Sequence, residues 1–316
     1  FWFHRWRRVS RAPWQGNENS MQRQLLAAAI TVLVSGLAQA NGSQLEEITI
    51  VGTEEDARSL PGTGAVVGNE QIRIEAANDN NQLLKTVPGI YIREEDGYGL
   101  RPNIGIRGAT SERASKITLL EDGVMIAPAP YSNPAAYYFP TALRMNTVEV
   151  LKGAPLLRHG PQTTGGVVNM VSTPIPQSMA GAVNFRAGQN GELDLLANYG
   201  GRVGDFGFLV ETAQRRSDGF KDIDRSSQDS GYDIRDYLVK LGWEGERQSL
   251  LFKAQYSEEV SDETYLGLTD RDFSRDEDRR YGLSVIDEMD NDHQGYNLKY
   301  GLDITDTVRM LSLIHI

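Results

Sequence analysis

No cysteine occurs in the 316 residues. That excludes disulfides, thiolate zinc sites and iron–sulfur clusters, and it suits an oxidising envelope compartment, where free thiols would mispair. Histidine is scarce, with His4, His159, His293 and His315 as the full set. None stands in a G-x-S-x-G, P-loop or H-E-x-x-H pattern, so no enzymatic activity is expected. His159 lies in LRHGP and reads as packed or solvent-facing in a turn. Positive charge is also in deficit: 32 Lys and Arg face 43 Asp and Glu, a net charge of −11. This balance argues against a phosphate-backbone partner, and no nucleic acid is expected. Beyond residue 40 no run of about eighteen apolar residues occurs, so any membrane span there must be β.

What the chain does contain is organised around Arg101 to Thr173. Short β-rich pieces (Ile104 to Arg107, Ile117 to Leu120, Val148 to Leu151, Val167 to Val171) alternate with Gly and Pro turns, and Pro140 to Met145 fits one helical turn. Upstream, Asn80 to Thr86 is a short amphipathic helix candidate with Leu83, Leu84 and Val87 apolar; Pro88-Gly89 ends it and Ile90 to Ile92 begins a strand. Two polar loops, Glu94 to Asn103 and Ala127 to Ala135, carry aromatics. Prolines at 128, 130 and 134 fix much of the second, so Tyr131, Ser132 and Asn133 are presented with little ordering entropy left to lose. Both loops are candidate ligand-facing tips, with Tyr98 and Arg101 in the first; the alternative is that they seal against a surrounding wall.

The motifs IGIRG, LLEDGV, VEVLKGAP and GPQTTGGVVNMVST, in that order and spacing, resemble the plug of TonB-dependent outer-membrane receptors. RPNIGIRG, APYSNP and the later ETYLGLTDRDF and RRYGLS are most similar to the ferric citrate receptor branch, and the likeness runs from about Glu46 to Met310. The resemblance implies a bacterial outer-membrane location, surrounding lipid, TonB with ExbB-ExbD as energising partners, and a ferric siderophore or ferric citrate as cargo, with no resident cofactor. It also implies that basic residues at IRG and LKG, here Arg107 and Lys152, lock the plug to barrel carboxylates. Those partners are expected in sequence that is absent. Lys152 stands where Arg is usual and forfeits bidentate geometry. Gly165-Gly166 is expected to allow close backbone approach where plug hands over to barrel.

Phe1 to Ser20 is basic and aromatic, and reads as upstream sequence from an over-extended gene start or else as a genuine extension. Met21 to Ala40 has a charged start, an apolar core over Leu25 to Leu37 and an Ala38-Gln39-Ala40 end, the pattern of a secretory signal. Residues 41–58 follow as TonB box and linker. Glu47, Ile48, Thr49, Ile50 and Val51 form one β-favouring stretch suited to adding to a partner's sheet edge; the alternative is a first plug strand. Only Asn41 to Leu45 precede the box, so the signalling domain of some members of this branch is not expected. Residues 59–176 are assigned to the plug.

From Gly181 the texture becomes strict alternation, and residues 177–310 are assigned to a barrel. Tyr237, Val239, Leu241 and Trp243 oppose Lys240 and Gly242; Leu250, Phe252, Ala254 and Tyr256 oppose Lys253 and Gln255; Tyr296, Leu298, Tyr300, Leu302 and Ile304 oppose Asn297, Lys299 and Asp303. Such stripes match tilted transmembrane strands, apolar outward and polar inward. Long connections at 217–235 and 257–294 fall on one side and short ones on the other, as outer-membrane barrels require. A folded plug of about 120 residues has a radius of gyration near 14 Å, too large for an eight-stranded barrel. The fold class is therefore mainly β: an α+β plug inside an antiparallel barrel of about 22 strands, of which six or seven are present. Leu311 to Ile316, LSLIHI, resembles translated sequencing adapter and is set aside as extraneous. The carboxylate-rich stretches 270–278 and 287–292 suit a solvated loop or a hard cation, though without EF-hand order.

The function these readings support is energised uptake of a ferric chelate. The resemblance implies that the chelate binds above the plug, and Arg93, Arg101 and Arg113 are candidate contacts to an anion. Alternatives are the same machine for cobalamin, another siderophore or an oligosaccharide, and a plugged surface-binding protein without transport.

Overall fold

Two patterns of apolar residues build two kinds of sheet. Runs buried on both faces make the plug, and alternating runs make a wall around it. The structure is a computed structural model that describes residues 45, 49–60, 63–75, 79–126, 138–153 and 164–316. The described residues form one compact unit.

The plug begins with helix α1 (Glu54–Ser59), capped by a reciprocal Thr53/Asp56 box, where the sequence reading places a polar linker. Strand β1 (Thr63–Val67) and helices α2 (Asn69–Glu75) and α3 (Asn80–Lys85) follow, with the Asp79 side chain capping α3 at Asn81 N–H. Strands β2 (Ile90–Arg93) and β3 (Asn103–Ile106) form an antiparallel pair. Next come β4 (Ile117–Glu121), β5 (Val124–Met125), β6 (Met145–Lys152) and β7 (Gly166–Ser172), and the sheet order is β1-β6-β7-β4-β5 with β4 and β7 parallel. The turn expected at 140–145 is a 3-10 turn at Ala142–Arg144. Leu83, Leu84, Ile104, Ile106, Leu119, Val148, Val150 and Val168 close one apolar core between sheet and helices. Gly165 and Gly166 serve this core rather than the handover to the barrel. A Cβ at Gly166 would stand 2.4 Å from Ile106 Cδ1, and one at Gly165 2.8 Å from the Lys116 carbonyl.

The wall comprises β8 (Ala180–Ala187), β9 (Leu193–Val203), β10 (Phe206–Ser217), then β11 (Asp222–Ile223) in a loop, β12 (Tyr232–Glu244) and β13 (Gln248–Asp262). Helix α4 (Asp270–Phe273) and β14 (Arg279–Arg280) lie in the next loop, followed by β15 (Glu288–Thr305) and β16 (Val308–His315). The seven long strands form one antiparallel sheet in the order β16-β15-β13-β12-β10-β9-β8. Parity is as expected: on β12, Tyr237 and Leu241 are 45% and 52% exposed, while Leu238 and Lys240 are 1% and 0%.

Two differences from the sequence reading stand out. Strands β13 and β15 run well past the apolar stripes, to Asp262 and back to Glu288, leaving a shorter loop at 263–287. A strand of β13's length reaches about 50 Å, against an apolar band about 25 Å tall, so its upper part stands clear of lipid and needs no apolar outer face. The ladder of β16 also continues to His315, through the segment read as extraneous.

Candidate functional site

The plug meets the inner face of the wall along a polar seam, and its centre is built by a turn. In LLEDGV, Asp122 and Gly123 both take positive φ (50° and 78°), the two-residue hairpin turn that Asp-Gly favours, with Glu121 paired to Val124. This geometry projects two adjacent carboxylates at the wall. Lys253 Nζ on β13 lies 2.8 Å from Glu121 Oε1 and 2.5 Å from Asp122 Oδ2. Arg144, from the 3-10 turn before β6, donates to Glu121 at 2.8 Å and to Tyr138 Oη at 2.8 Å, and its Nε lies 3.6 Å from Asp236 on β12. Ser172 donates to Asp122 through both N–H and hydroxyl, at 2.8 and 2.6 Å. The Tyr138 ring stacks on His293 of β15 with centroids 3.8 Å apart.

All of these charges are buried. Burial pushes the Glu121 carboxyl up, but Arg144 and Lys253 outweigh it and hold it down at about 2. Asp122 is lowered in the same way: desolvation opposes, and the Lys253 and Lys240 cations prevail. Both are carboxylates at any physiological pH.

Towards the long-loop end, the loop after β2 seals against the wall instead of presenting a free tip. The Asp96 carboxylate accepts the N–H groups of Tyr98, Gly99, Leu100 and Arg101 and so shapes the loop. Arg101, expected as a ligand contact, is 7% exposed and pairs with Glu259 of β13 and with Glu263, the latter at 2.6 Å. Tyr98 packs edge-on against Phe220 and Tyr232; its hydroxyl accepts from Phe220 N–H at 3.1 Å and donates to the Ser230 carbonyl at 3.3 Å. Burial raises its pKa to about 12. Arg93 and Arg113 both pair with Glu95 and stay more accessible. Between this contact and the central one lies a gap lined by Asn80, Thr141, Arg215, Ser257 and Glu259.

At the short-loop end, Leu45 is buried with Ile175, Leu209, Leu238 and Leu251, in a notch that Gly242 leaves on the wall. Of the segment read as a partner-binding strand, Thr49, Ile50 and Val51 are described. Thr49 is exposed, while Val51 is buried among Leu120, Leu151 and Val167. The Glu149 side chain of β6 accepts the N–H groups of Ile50, Val51 and Gly52 at 2.8, 3.2 and 2.7 Å, and Asn169 Nδ2 at 2.7 Å. Glu47, Ile48, Tyr131, Ser132, Asn133 and His159 lie outside the described residues, as do residues 1–40.

Of the expected lock pair, Lys152 ends β6, but Arg107 falls just past β3 in a left-handed turn (φ 51°), not on a strand. Arg107 donates to Thr63 Oγ1 at 2.6 Å and Lys152 to the Pro88 carbonyl at 2.7 Å. Burial and the neighbouring Arg107 both push the Lys152 ammonium down. Among the described residues neither forms an ion pair with the wall.

Sequence reasoning missed the residues that do join plug to wall: Glu121, Asp122, Arg144, Asp236, Lys253, Glu259 and Glu263. For Asp236, Lys253 and Glu259 the signal is charge at inward-parity positions, which separates a polar face but not what it meets. The acidic stretch 270–278 folds back on itself: Thr269 caps α4, and Asp272 pairs with Arg279 and accepts from Tyr281. Among the described residues no cluster of metal-ligating side chains occurs.

Residues 56–167 match the family described as TonB-dependent Receptor Plug Domain. The vitamin B12 transporter BtuB of Vibrio vulnificus is 26% identical over 294 residues, 92% of this chain and 44% of that protein. The ferric enterobactin receptor of Pseudomonas aeruginosa is 27% identical over 157 residues, 44% of this chain and 20% of that protein. The chain thus spans less than half the length of these curated relatives. Among solved structures, the ferric citrate transporter FecA in its unliganded form superposes with a TM-score of 0.71 at 23% identity, covering 84% of this chain and 41% of that one. The ferric yersiniabactin receptor FyuA of Yersinia pestis gives 0.67 at 19% identity, covering 82% and 41%. These proteins are receptors and transporters, not enzymes. With a TonB-dependent receptor plug domain over residues 56–167, a strand wall of outward apolar parity and the fold of these structures, the chain resembles the TonB-dependent receptors of the outer membrane.

Proposed function

We propose that the protein takes up a ferric chelate across the outer membrane, with the plug as a gate and TonB pulling on residues 47–51. The observation that carries this reading is the seam: a folded plug held against the wall by the Glu121/Asp122–Lys253, Arg144–Asp236 and Arg101–Glu259/Glu263 ion pairs. A gate so held has to be displaced by external work, and the exposed segment at Thr49 is the nearest handle. Ferric citrate is the favoured cargo, supported by the RPNIGIRG and APYSNP motifs and by the fold likeness to the ferric citrate transporter. Arg93 and Arg113 replace Arg101 as the cations open to an anionic chelate. Arg107 and Lys152, neighbouring cations without a described carboxylate partner, keep their assignment as a lock towards wall strands beyond those described. The relative matched over 92% of the chain favours a second reading, cobalamin as cargo.

Deletion of residues 46–53 in the full-length receptor tests the proposal. Uptake of labelled ferric citrate is expected to vanish while chelate binding persists; unchanged uptake rules out TonB dependence. Parallel uptake of labelled cobalamin decides between the cargoes.

A further inference from the structure

We infer that Tyr98 is a positioning residue: the plug loop that carries it is the template on which the loops at 218–231 and 263–287 are ordered, so gate and outer rim hold or release together. Its bearing on cargo rests on the proposed uptake of a ferric chelate; the ordering of the loops does not. The loop at 218–231 has little of its own to fold on. Its large apolar side chains are Phe220 and Ile223, and the pair β11–β14 is two residues long, too short to stand alone. What is missing comes from the plug. The Tyr98 ring packs edge-on against Phe220 and Tyr232, and its hydroxyl accepts the Phe220 N–H at 3.1 Å and donates to the Ser230 carbonyl at 3.3 Å. Leu100 completes an apolar cluster with Tyr232 and Ile234. The fit is close, since a Cβ at Gly97 would stand 2.8 Å from Phe220 Cζ.

Order passes from the first loop to the second. Lys221 Nζ donates to the Asp96 carbonyl of the plug at 3.3 Å and to Thr264 Oγ1 at 3.2 Å, so one side chain joins all three segments. The N–H groups of Asp222 and Asp224 donate to the carbonyls of Asp278 and Arg280 at 2.8 and 2.9 Å. The Asp224 carboxylate accepts from Nε and Nη2 of Arg279, both at 2.9 Å. A partly exposed ion pair and a two-residue bridge add little by themselves. They hold once Phe220, two residues before β11, is fixed on the plug. A plug that moves away from the wall withdraws Tyr98, and both loops lose their template. Segments with few buried apolar contacts are the first to open.

The test uses the full-length receptor, read by hydrogen exchange at the amides of Phe220, Asp222 and Asp224 and by affinity for ferric citrate. Tyr98→Ala is expected to speed exchange at all three by about tenfold or more and to weaken ferric citrate binding about tenfold, because a disordered rim has to be ordered on binding. Tyr98→Phe keeps the ring and loses the hydroxyl. Of the three amides, only that of Phe220 is then expected to exchange faster, and affinity to return to within about twofold of wild type. Exchange protection of β4 and β7 reports whether the plug stays folded. If Tyr98→Ala loses it, Gly97→Ala, which displaces Phe220 from a position with φ 85°, takes its place with the same expected outcome. If the variant that keeps the plug folded leaves the Asp222 and Asp224 amides as protected as in wild type, the template is overturned. Faster exchange with unchanged affinity overturns the positioning role. If the wild-type receptor binds no ferric citrate, the cargo reading fails and exchange alone decides.

Discussion

The plug has an interior and a seam, and they are made of different materials. Inside, Leu83, Ile104, Leu119, Val150 and Val168 pack without charge. At the wall, the centre is carboxylate against ammonium and guanidinium, with small apolar contacts at the two ends, around Leu45 and around Leu100 with Tyr232. Apolar packing is strong and non-directional, and separating it exposes surface to water. Buried ion pairs add little net strength over apolar substitutes of the same volume, because each partner gives up hydration to form them. They part more readily where water can enter and rehydrate both sides. The interior is built to stay together and the seam to come apart.

The largest break in this contrast is Lys253→Met, which leaves Glu121 and Asp122 facing each other without their shared cation. It is expected to weaken docking of the plug on the wall by about 3–5 kcal/mol, read as earlier release of the plug in denaturant while the barrel persists. A release midpoint unchanged from wild type would mean the ions do not hold the seam. Next, Ile104→Ala, in the interior, is expected to cost about 2–5 kcal/mol. It is to be read by hydrogen exchange, with protection lost throughout the plug sheet instead of at the wall contacts alone.

The smallest expected effect over physiological conditions is that of pH. Glu121 and Asp122 are depressed in the folded state, so their contribution is fully present above the ordinary carboxylate range and is lost as pH falls through the folded values, about 2 for Glu121. The Glu121 and Asp122 share of docking should thus be flat from neutral pH down to about 5 and be lost only in strong acid. A release midpoint that moved near pH 6 would mean another group controls the seam.

Much of the fold was legible because its signals are local. Alternation over Tyr237 to Trp243 sets which face of β12 meets lipid, and the Asp-Gly of LLEDGV sets a tight turn. The seam was harder to read. Strand parity shows that Lys253 and Asp236 point inward, but a side chain facing a water-filled lumen and one facing a plug look alike in sequence. Arg101 sits in a loop of polar residues and invited a ligand role; its partner Glu259 is 158 positions away, beyond any local pattern. Glu149 left a clearer trace: in VEV, a carboxylate between two buried valines has to find donors somewhere.

The turn at Asp122 carries one more lesson. Its backbone asks only for a short polar residue that accepts a left-handed conformation, a demand asparagine meets equally well. Aspartate at that corner is thus surplus to folding, and the single oxygen that distinguishes the two residues marks where a requirement of shape ends and a requirement of grip begins.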